Sequence, residues 1–202
     1  DKDYKRVDFK FDSKIKDIDK FNQLFNRLKD GEPFEYVVNE ASFVSLMLYV
    51  DNNVLIPRVE TEGLMNIVNK IIDDNKLNDS TIIDMCTGSG CIGLYMKYTH
   101  RNSRVIVSDI SKEALKIAKK NSENLNLEIE VLESDKLDVF LKNHIKCDIF
   151  LSNPPYVERK EDIFDEVKKY EPMNAVFVEN NDIFYEECFK HYKEVMNDKF
   201  LM

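Results

Sequence analysis

The amino-acid sequence predicts a doubly wound α/β fold built on a mainly parallel sheet. Short runs rich in β-branched and aromatic residues alternate with amphipathic helical segments through most of the chain. A strand, a helix and another strand in succession form a crossover unit, which makes neighbouring strands parallel. The unusual loops all follow predicted strands, so we expect them at the carboxyl edge of the sheet, where such folds bind ligands.

The N-terminal part precedes this alternation and predicts a helix followed by a hairpin. Apolar residues recur at helical spacing within residues 1–30, a stretch rich in Lys and Asp, and predict one amphipathic helix after a polar lead. Gly31 and Pro33 end that helix. Aromatic and β-branched residues over 34–50 then predict a short hairpin, which makes residues 31–56 a connector to the next domain.

Residues 57–202 form the predicted core domain. Its elements are predicted in this order: a helix over 60–74, a strand over 81–85, a helix over 91–98, a strand over 104–109, a helix over 112–125, a strand over 128–132, a helix over 136–142, a strand over 147–152 and a helix over 182–196. The apolar ending Phe200, Leu201 and Met202 is typical of the start of a further strand. With four strands before it, we expect the sheet to be incomplete at its C-terminal side.

Composition and charge exclude several classes of protein. The chain has 202 residues, of which 43% are hydrophobic and 33% charged, enough for a full globular core. No apolar run approaches the roughly 18 residues that a membrane helix needs, so we expect no membrane partner. The 29 basic and 38 acidic side chains give a net charge of -9. That sign disfavours a nucleic-acid substrate bound through its phosphates.

The four cysteines, Cys86, Cys91, Cys147 and Cys188, indicate reduced thiols. They form no CxxC pair and no histidine lies at ligand spacing, so we expect no metal site. Reduced thiols indicate a reducing compartment and predict a cytoplasmic protein. The chain begins with Asp1 instead of Met, which leaves an organellar location open.

A loop of small residues follows the first core strand and opens a helix. Small residues let the backbone approach a ligand closely, and the helix N-terminus offers unpaired N–H groups. The candidate cofactor-binding residues here are Asp84, Cys86, Thr87, Gly88, Ser89 and Gly90. Cysteines at 86 and 91 break the glycine pattern of a dinucleotide-binding loop, and the chain lacks the Gly-Lys-Ser/Thr of a triphosphate loop. A plain tight turn remains the alternative.

Two carboxylates follow the next two strands. Asp109 lies about 20 residues after the small-residue loop, the spacing at which an acidic residue accepts hydrogen bonds from ribose hydroxyls. Asp135, at the end of the third strand, could accept a hydrogen bond from an adenine amine. A helix cap beside Ser111 is the alternative for Asp109, and a solvated surface carboxylate is the alternative for Asp135.

The tetrapeptide Asn153, Pro154, Pro155 and Tyr156 directly follows the fourth strand. Two prolines remove two backbone donors and stiffen the loop, which leaves its carbonyls free to face a ligand. The Asn153 amide, the Pro154 carbonyl and the Tyr156 ring are suited to hold a planar nitrogen such as an amide or exocyclic amine. An ordinary Pro-Pro turn capped by Asn153 is the alternative.

These motifs together resemble the HemK family, the protein-glutamine N5-methyltransferases of peptide chain release factors, within the class I S-adenosylmethionine-dependent methyltransferases. The matching stretches are Gly31 to Tyr36, Val54 to Glu62, Asp84 to Gly90, Ser108 to Ser111 with Ala114 and Leu115, Ser152 to Val157, and Tyr170 to Pro172. The stretch from Ile56 to Glu62 favours this family over the adenine-N6 DNA methyltransferases, which share the Asn-Pro-Pro-Tyr loop.

The resemblance implies a Rossmann-like sheet, S-adenosyl-L-methionine as cofactor and a release factor with a Gly-Gly-Gln loop as substrate. Asn153 would then be both a catalytic and a cofactor-contacting residue, beside Pro154, Pro155 and Tyr156. Phe43, Arg58 and Thr61 are candidates for the substrate side, although core packing for Phe43 and helix capping for Thr61 are the alternatives. The resemblance also makes residues 1–30 the remnant of a larger N-terminal helical domain.

Two positions depart from the family pattern. Cys86 replaces a glycine of the loop, and Val59 replaces the proline after Arg58. A cysteine at position 86 fits a negative φ and crowds a left-handed turn.

The sequence leaves two other functions open: amine methylation of adenine in DNA or RNA, and a catalytically idle fold that binds a cofactor or partner. The sequence does not indicate whether an activating subunit exists.

Overall fold

The computed structural model describes residues 15–77 and 79–201. The helices are α1 (Ile18–Lys29), α2 (Phe34–Val38), α3 (Val59–Asn75), α4 (Cys91–Thr99), α5 (Lys112–Leu125), α6 (Asp138–Lys142), α7 (Asp165–Tyr170) and α8 (Asn181–Val195). The strands are β1 (Ala41–Phe43), β2 (Leu46–Leu48), β3 (Thr81–Met85), β4 (Arg104–Asp109), β5 (Glu130–Glu133), β6 (Cys147–Ser152) and β7 (Met196–Leu201).

The central sheet has the strand order β5-β4-β3-β6-β7, and all of its pairs are parallel. The predicted fold class is therefore confirmed. β3 lies in the middle, between β4 and β6, and is buried along almost its whole length. Both of its faces are covered, and a strand buried on both faces loses the polar alternation of an exposed sheet.

Two hydrophobic cores lie on opposite faces of the sheet, as the alternation of side chains along each strand shows. Ile82 of β3 belongs to the core that includes residues of α3, α4 and α5, whereas its neighbour Ile83 belongs to the core that includes residues of α6 and α8. On β6, Ile149 and Phe150 divide in the same way. Successive strand residues point to opposite faces, so each central strand contributes to both cores.

The N-terminal segments differ from prediction in one respect. The predicted helix is observed as α1, while its polar lead lies outside the described residues. Residues 34–38, predicted as part of the hairpin, form the helical turn α2, so that part of the prediction is wrong. The helix ends at Asn39, which is left-handed with φ of 57°. The antiparallel hairpin is limited to β1 and β2.

Most core elements have the predicted bounds within a few residues, and the remaining differences lie after β6. The predicted C-terminal strand is β7, which begins at Met196 and adds a fifth described strand to the sheet. The short helix α7 and the 3₁₀ turns at Lys160–Asp162 and Met173–Ala175 were not predicted. None of the described helices is both long and apolar enough to span a membrane.

The close approach of α4 to the sheet generates a stability prediction at Gly93. An added Cβ there would collide with Val107 Cγ1 and lie 3.2 Å from Asp84 Oδ2. We expect Gly93→Ala to lower the free energy of unfolding by about 1–3 kcal/mol, the usual cost of overpacking a core, as measured by urea denaturation.

Gly63→Ala is the matched control, because Gly63 also lies in a helix but has no atom within 4 Å of the added Cβ. We expect this variant to gain up to about 1 kcal/mol from helix propensity. Equal changes in the two variants would show that Gly93 is not required for packing.

Candidate active site

A cavity of about 380 Å³ opens at the carboxyl edge of the central sheet. The loops after β3, β4, β5 and β6 all contribute to its walls, together with the segment before α3 and the start of α8. Parallel strands end at the same edge, and ligands of open α/β sheets bind there. The loops in which the sequence placed candidate site residues therefore surround one cavity.

The small-residue loop after β3 is strongly curved. Cys86, Gly88 and Gly90 have φ values of 61°, 55° and 84°. The sequence left the sign of φ at Cys86 open, and the structure shows the left-handed conformation, which costs a non-glycine residue roughly 1–2 kcal/mol. Burial raises the pKa of the Cys86 thiol to about 12, which keeps it protonated at neutral pH. Gly90 is also required for packing, since an added Cβ would lie 3.2 Å from that of Ala118 on α5.

Asp84 lies beneath this loop and not in the cavity wall. Its carboxyl group is buried, and Oδ2 accepts hydrogen bonds from Thr87 Oγ1 at 2.5 Å and from Gly93 N at 2.9 Å. Oδ1 is buried and has no hydrogen-bond partner among the described residues. Burial raises the pKa of Asp84 to about 7, while the bonds from Thr87 and Gly93 oppose that shift. Asp84 thus joins the loop to α4.

Asp109 and Asp135 lie where the sequence predicted, at the ends of β4 and after β5. Asp109 Oδ2 accepts a hydrogen bond from Gly88 N and Oδ1 accepts one from Ser111 N, each at 2.9 Å. Each carboxylate oxygen can accept more than one bond, so a ligand hydroxyl can still reach Asp109. Asp135 is exposed and lines the same cavity.

The Asn153 loop lies between two cavities. Asn153 lines the first cavity and also a second one of about 290 Å³, in which Tyr156 forms part of the wall. Pro155 lines the first cavity, whereas Pro154 is buried beneath the loop. Among the described residues, none forms a hydrogen bond with the Asn153 side-chain amide. Its oxygen and its NH2 group are therefore available to a ligand.

The three candidates for the substrate side have different positions. Arg58 and Thr61 line both cavities. α3 begins after Arg58 without a side-chain cap, so the alternative role of Thr61 as a helix cap is not observed. Phe43 is fully buried and packs edge-to-face on Tyr95, with ring centroids 6.1 Å apart. The prediction that Phe43 contacts the substrate is wrong, because the hairpin directs its ring into the hydrophobic core.

Comparison with known proteins identifies the family of this chain. Residues 63–170 match the family described as Methyltransferase small domain. The release factor glutamine methyltransferase of Mycoplasma mycoides subsp. mycoides is 35% identical over 208 residues, which cover all of this chain and 73% of the relative. The chain belongs to the release factor glutamine methyltransferase family. The resemblance that the motifs indicated is confirmed.

Other relatives of this methyltransferase cover less of their own length. The release factor glutamine methyltransferase of Leptospira interrogans is 39% identical over 157 residues, 74% of this chain and 54% of the relative. The chain thus spans between about half and three quarters of these two relatives. The crystal structure of the hMettl16 catalytic domain has a TM-score of 0.51 at 18% identity and covers 73% of this chain and 59% of that chain. At this identity the likeness shows the fold alone.

Several cavity residues of this methyltransferase were not found from its sequence. Ile110 directly follows Asp109 and is an exposed apolar side chain in the cavity wall. An apolar residue after a strand-end carboxylate is a signal that could have identified it. Lys136 and Phe184 also line the cavity. Phe184 gave no local signal, because α8 brings it to the site from far along the chain.

The buried carboxyl of Asp84 predicts a specific pH dependence of stability. Its pKa is about 7 in the folded chain, against about 4 for an unfolded aspartate. Between these values the folded chain holds a proton that the unfolded chain releases, so the contribution of Asp84 to the free energy of unfolding falls as pH rises from about 4 to about 7.

Asp84→Asn removes this titration while keeping an oxygen that can accept from Thr87 and Gly93. We expect the stability of the unmodified chain to fall relative to that of the variant across this pH range, as measured by urea denaturation. Asp74→Asn, at an exposed position on α3, controls for the loss of one negative charge. Parallel stability curves for the chain and for Asp84→Asn would contradict the prediction.

Proposed function

We propose that this chain transfers the methyl group of S-adenosyl-L-methionine to the side-chain amide nitrogen of a glutamine in a peptide chain release factor. The position of Asn153 between the two cavities carries the proposal, since one residue can then contact the cofactor on one side and an acceptor amide on the other. The names of the relatives in Mycoplasma mycoides and Leptospira interrogans support this choice of acceptor.

The residues around the first cavity fit this cofactor. Asp109 and Asp135 provide carboxylates for ribose hydroxyls and an adenine amine. Ser89 also lines the cavity, with its hydroxyl group buried below the surface. A Cβ on Gly88 would meet no atom within 4 Å, so the backbone is open to a ligand there. When bound, the cofactor supplies an electrophilic methyl group on a sulfonium centre.

The Asn153 loop orients the acceptor. An amide nitrogen is a poor nucleophile because its lone pair is delocalised, so the site has to hold it in a reactive direction. In this proposal Asn153 Oδ1 and the Pro154 carbonyl accept the two N–H groups of the glutamine amide, which favours positive charge developing on nitrogen. Tyr156 packs on the planar amide. The site needs no strong general base, because the nitrogen proton becomes acidic only after methyl transfer.

The two alternative functions have less support. Methylation of adenine in DNA or RNA requires a surface that binds phosphates, whereas the chain carries a net charge of -9. A catalytically idle fold does not require an unpaired amide at Asn153. We infer a cytoplasmic enzyme, since release factors act on ribosomes and all four cysteines are free thiols.

Replacement of Asn153 tests the proposed role of the loop. We expect Asn153→Ala to reduce methyl transfer to the release factor by about 10²–10³-fold, the usual cost of removing one oriented transition-state contact. The measurement is transfer of a radiolabelled methyl group to the intact factor, to the factor with its acceptor glutamine replaced, and to DNA.

Asn143→Ala provides the matched control, because the Asn143 amide only bonds the Val139 carbonyl at the exposed end of α6. This variant should retain full activity. Labelling of DNA, or of the factor without its glutamine, would contradict the proposed acceptor. Unchanged transfer by Asn153→Ala would contradict the role of the loop.

Replacement of Asp109 tests the cofactor side. We expect Asp109→Ala to weaken S-adenosylmethionine binding by at least about tenfold in isothermal titration calorimetry, since hydrogen bonds to a charged group contribute about 1.5–3 kcal/mol. The exposed Asp74→Ala on α3 serves as the control. Thermal denaturation of the variant without cofactor separates lost binding from lost folding. Unchanged affinity in a folded Asp109→Ala variant would remove the ribose assignment.

A further inference from the structure

An ion pair joins the wall of the site to a distant segment of the chain. Arg58 Nη2 donates to Glu171 Oε1 at 2.6 Å. The Glu171 side chain is only 3% exposed, whereas that of Arg58 is 35% exposed and lines both cavities. Glu171 is thus the buried member of the pair, and Arg58 is the member that a ligand can reach.

Glu171 also holds the backbone that carries Arg58. Its second oxygen, Oε2, accepts a hydrogen bond from Ile56 N at 3.1 Å. The same irregular segment is also fixed at Val54, whose carbonyl accepts a hydrogen bond from the buried Tyr36 hydroxyl at 2.5 Å. On the other side, Tyr170 Oη donates to the Asp30 carbonyl at 2.6 Å. Glu171 therefore belongs to a segment that is itself anchored through Tyr170, and it binds the segment Ile56–Arg58 that contributes to the cavity wall.

Stability alone is a poor explanation for this pair. Burying a carboxylate has a desolvation cost, and well-packed apolar residues often replace a buried ion pair without loss of stability. The surroundings would allow such a replacement, because Tyr36, Val54 and Ile56 form an apolar cluster at this place. An ion pair instead gives the guanidinium one defined position.

Arg58 provides hydrogen-bond donors in the wall of the second cavity. Among the described residues that line it, Arg58 carries the one positive charge. Among the described residues, Glu171 is also the one hydrogen-bond partner of the Arg58 guanidinium. Its other N–H groups remain available to acceptors such as the carbonyl groups of a protein chain.

We propose that Glu171 is a positioning residue that fixes Arg58 in the wall of the second cavity, where Arg58 donates hydrogen bonds to the backbone of the acceptor protein. This inference rests on the proposed function, because it takes the occupant of the second cavity to be the chain that carries the acceptor glutamine. The Tyr170, Glu171 and Pro172 motif thereby acquires a role in substrate binding.

Glu171→Gln tests the proposal with little change in shape. A glutamine oxygen can still accept from Ile56 N, but its NH2 group cannot accept from the guanidinium, so Arg58 is released. We expect the KM for the release factor to rise about tenfold, as for loss of a charge-assisted hydrogen bond. The kcat and the dissociation constant of S-adenosylmethionine should stay within about twofold of their values in the unmodified chain.

Glu130→Gln is the matched control, since it breaks the exposed Arg104–Glu130 pair at the opposite edge of the sheet.

A double-mutant cycle with Arg58→Met separates positioning from a general structural role. If Glu171 acts through Arg58, the double variant should have the same KM as Arg58→Met alone, whereas independent effects would multiply. Thermal denaturation identifies a variant that has lost its fold. Multiplying effects, an unchanged KM, or a tenfold loss of cofactor affinity in place of a change in KM would each overturn the proposal.

Chemical modification provides a readout that needs no methyl transfer. Phenylglyoxal reacts with unpaired arginines, so mass spectrometry should show faster modification of Arg58 in Glu171→Gln than in the unmodified chain or in Glu130→Gln. If the unmodified chain does not methylate the release factor but Arg58 shows this difference, the proposed function fails while the positioning by Glu171 stands. Equal modification rates in all three proteins would overturn the positioning itself.

Discussion

The buried carboxyl of Asp84 connects the parts on which this structure depends. One of its oxygens bonds Thr87 in the curved loop and Gly93 in α4, so that strand, loop and helix are joined at one atom. This arrangement requires α4 to approach the sheet closely, and only a glycine at 93 leaves room for it. The Gly88 amide of the same loop donates a hydrogen bond to Asp109 on the neighbouring strand β4. The buried carboxyl thus fixes the positions of strand, loop and helix beside the cavity.

The two halves of the site meet at Asn153. On one side are the strand-end carboxylates Asp109 and Asp135, and on the other is the second cavity with Arg58 and Tyr156. The stiff Pro154 and Pro155 hold the loop without offering backbone donors of their own, while the Asn153 amide has no bond to the described residues. A rigid loop with one unpaired amide is suited to orient a weak nucleophile, because the hydrogen bonds need little further ordering when the ligand arrives.

The connector, residues 31–56, contributes to the walls of the site and also joins the N-terminal helix to the core domain. Residues of this connector form a small core with Ala114 and Ile117 of α5, so the wall of both cavities is tied to the central domain. Contacts from Tyr36 and Glu171 fix that wall from two directions. The segment from Val54 to Arg58 has no regular secondary structure, and its geometry depends on these contacts instead of a backbone ladder.

The sequence by itself determined the parallel sheet and most of the loops that surround the site. The bounds of β3, β4 and β6 follow from apolar runs between turn residues, and parallel strands necessarily bring the loops after them to one edge. Asp109, Asp135 and Asn153 could be located in this way because strand direction alone decides where they lie. Local pattern also identified Cys86 as a departure, although only the structure supplied its φ of 61°.

Only the tertiary structure decided which side chains reach the cavity. Phe43 and Arg58 were both candidates for the substrate side, yet one is buried in the core and the other lines both cavities. The local sequence pattern also did not indicate that Asp84 lies beneath the loop. It did not indicate that Glu171 binds Arg58, which lies 113 residues away. The physical reason is that periodicity reports which face of a helix or strand is buried, whereas irregular segments take their geometry from contacts with residues far along the chain.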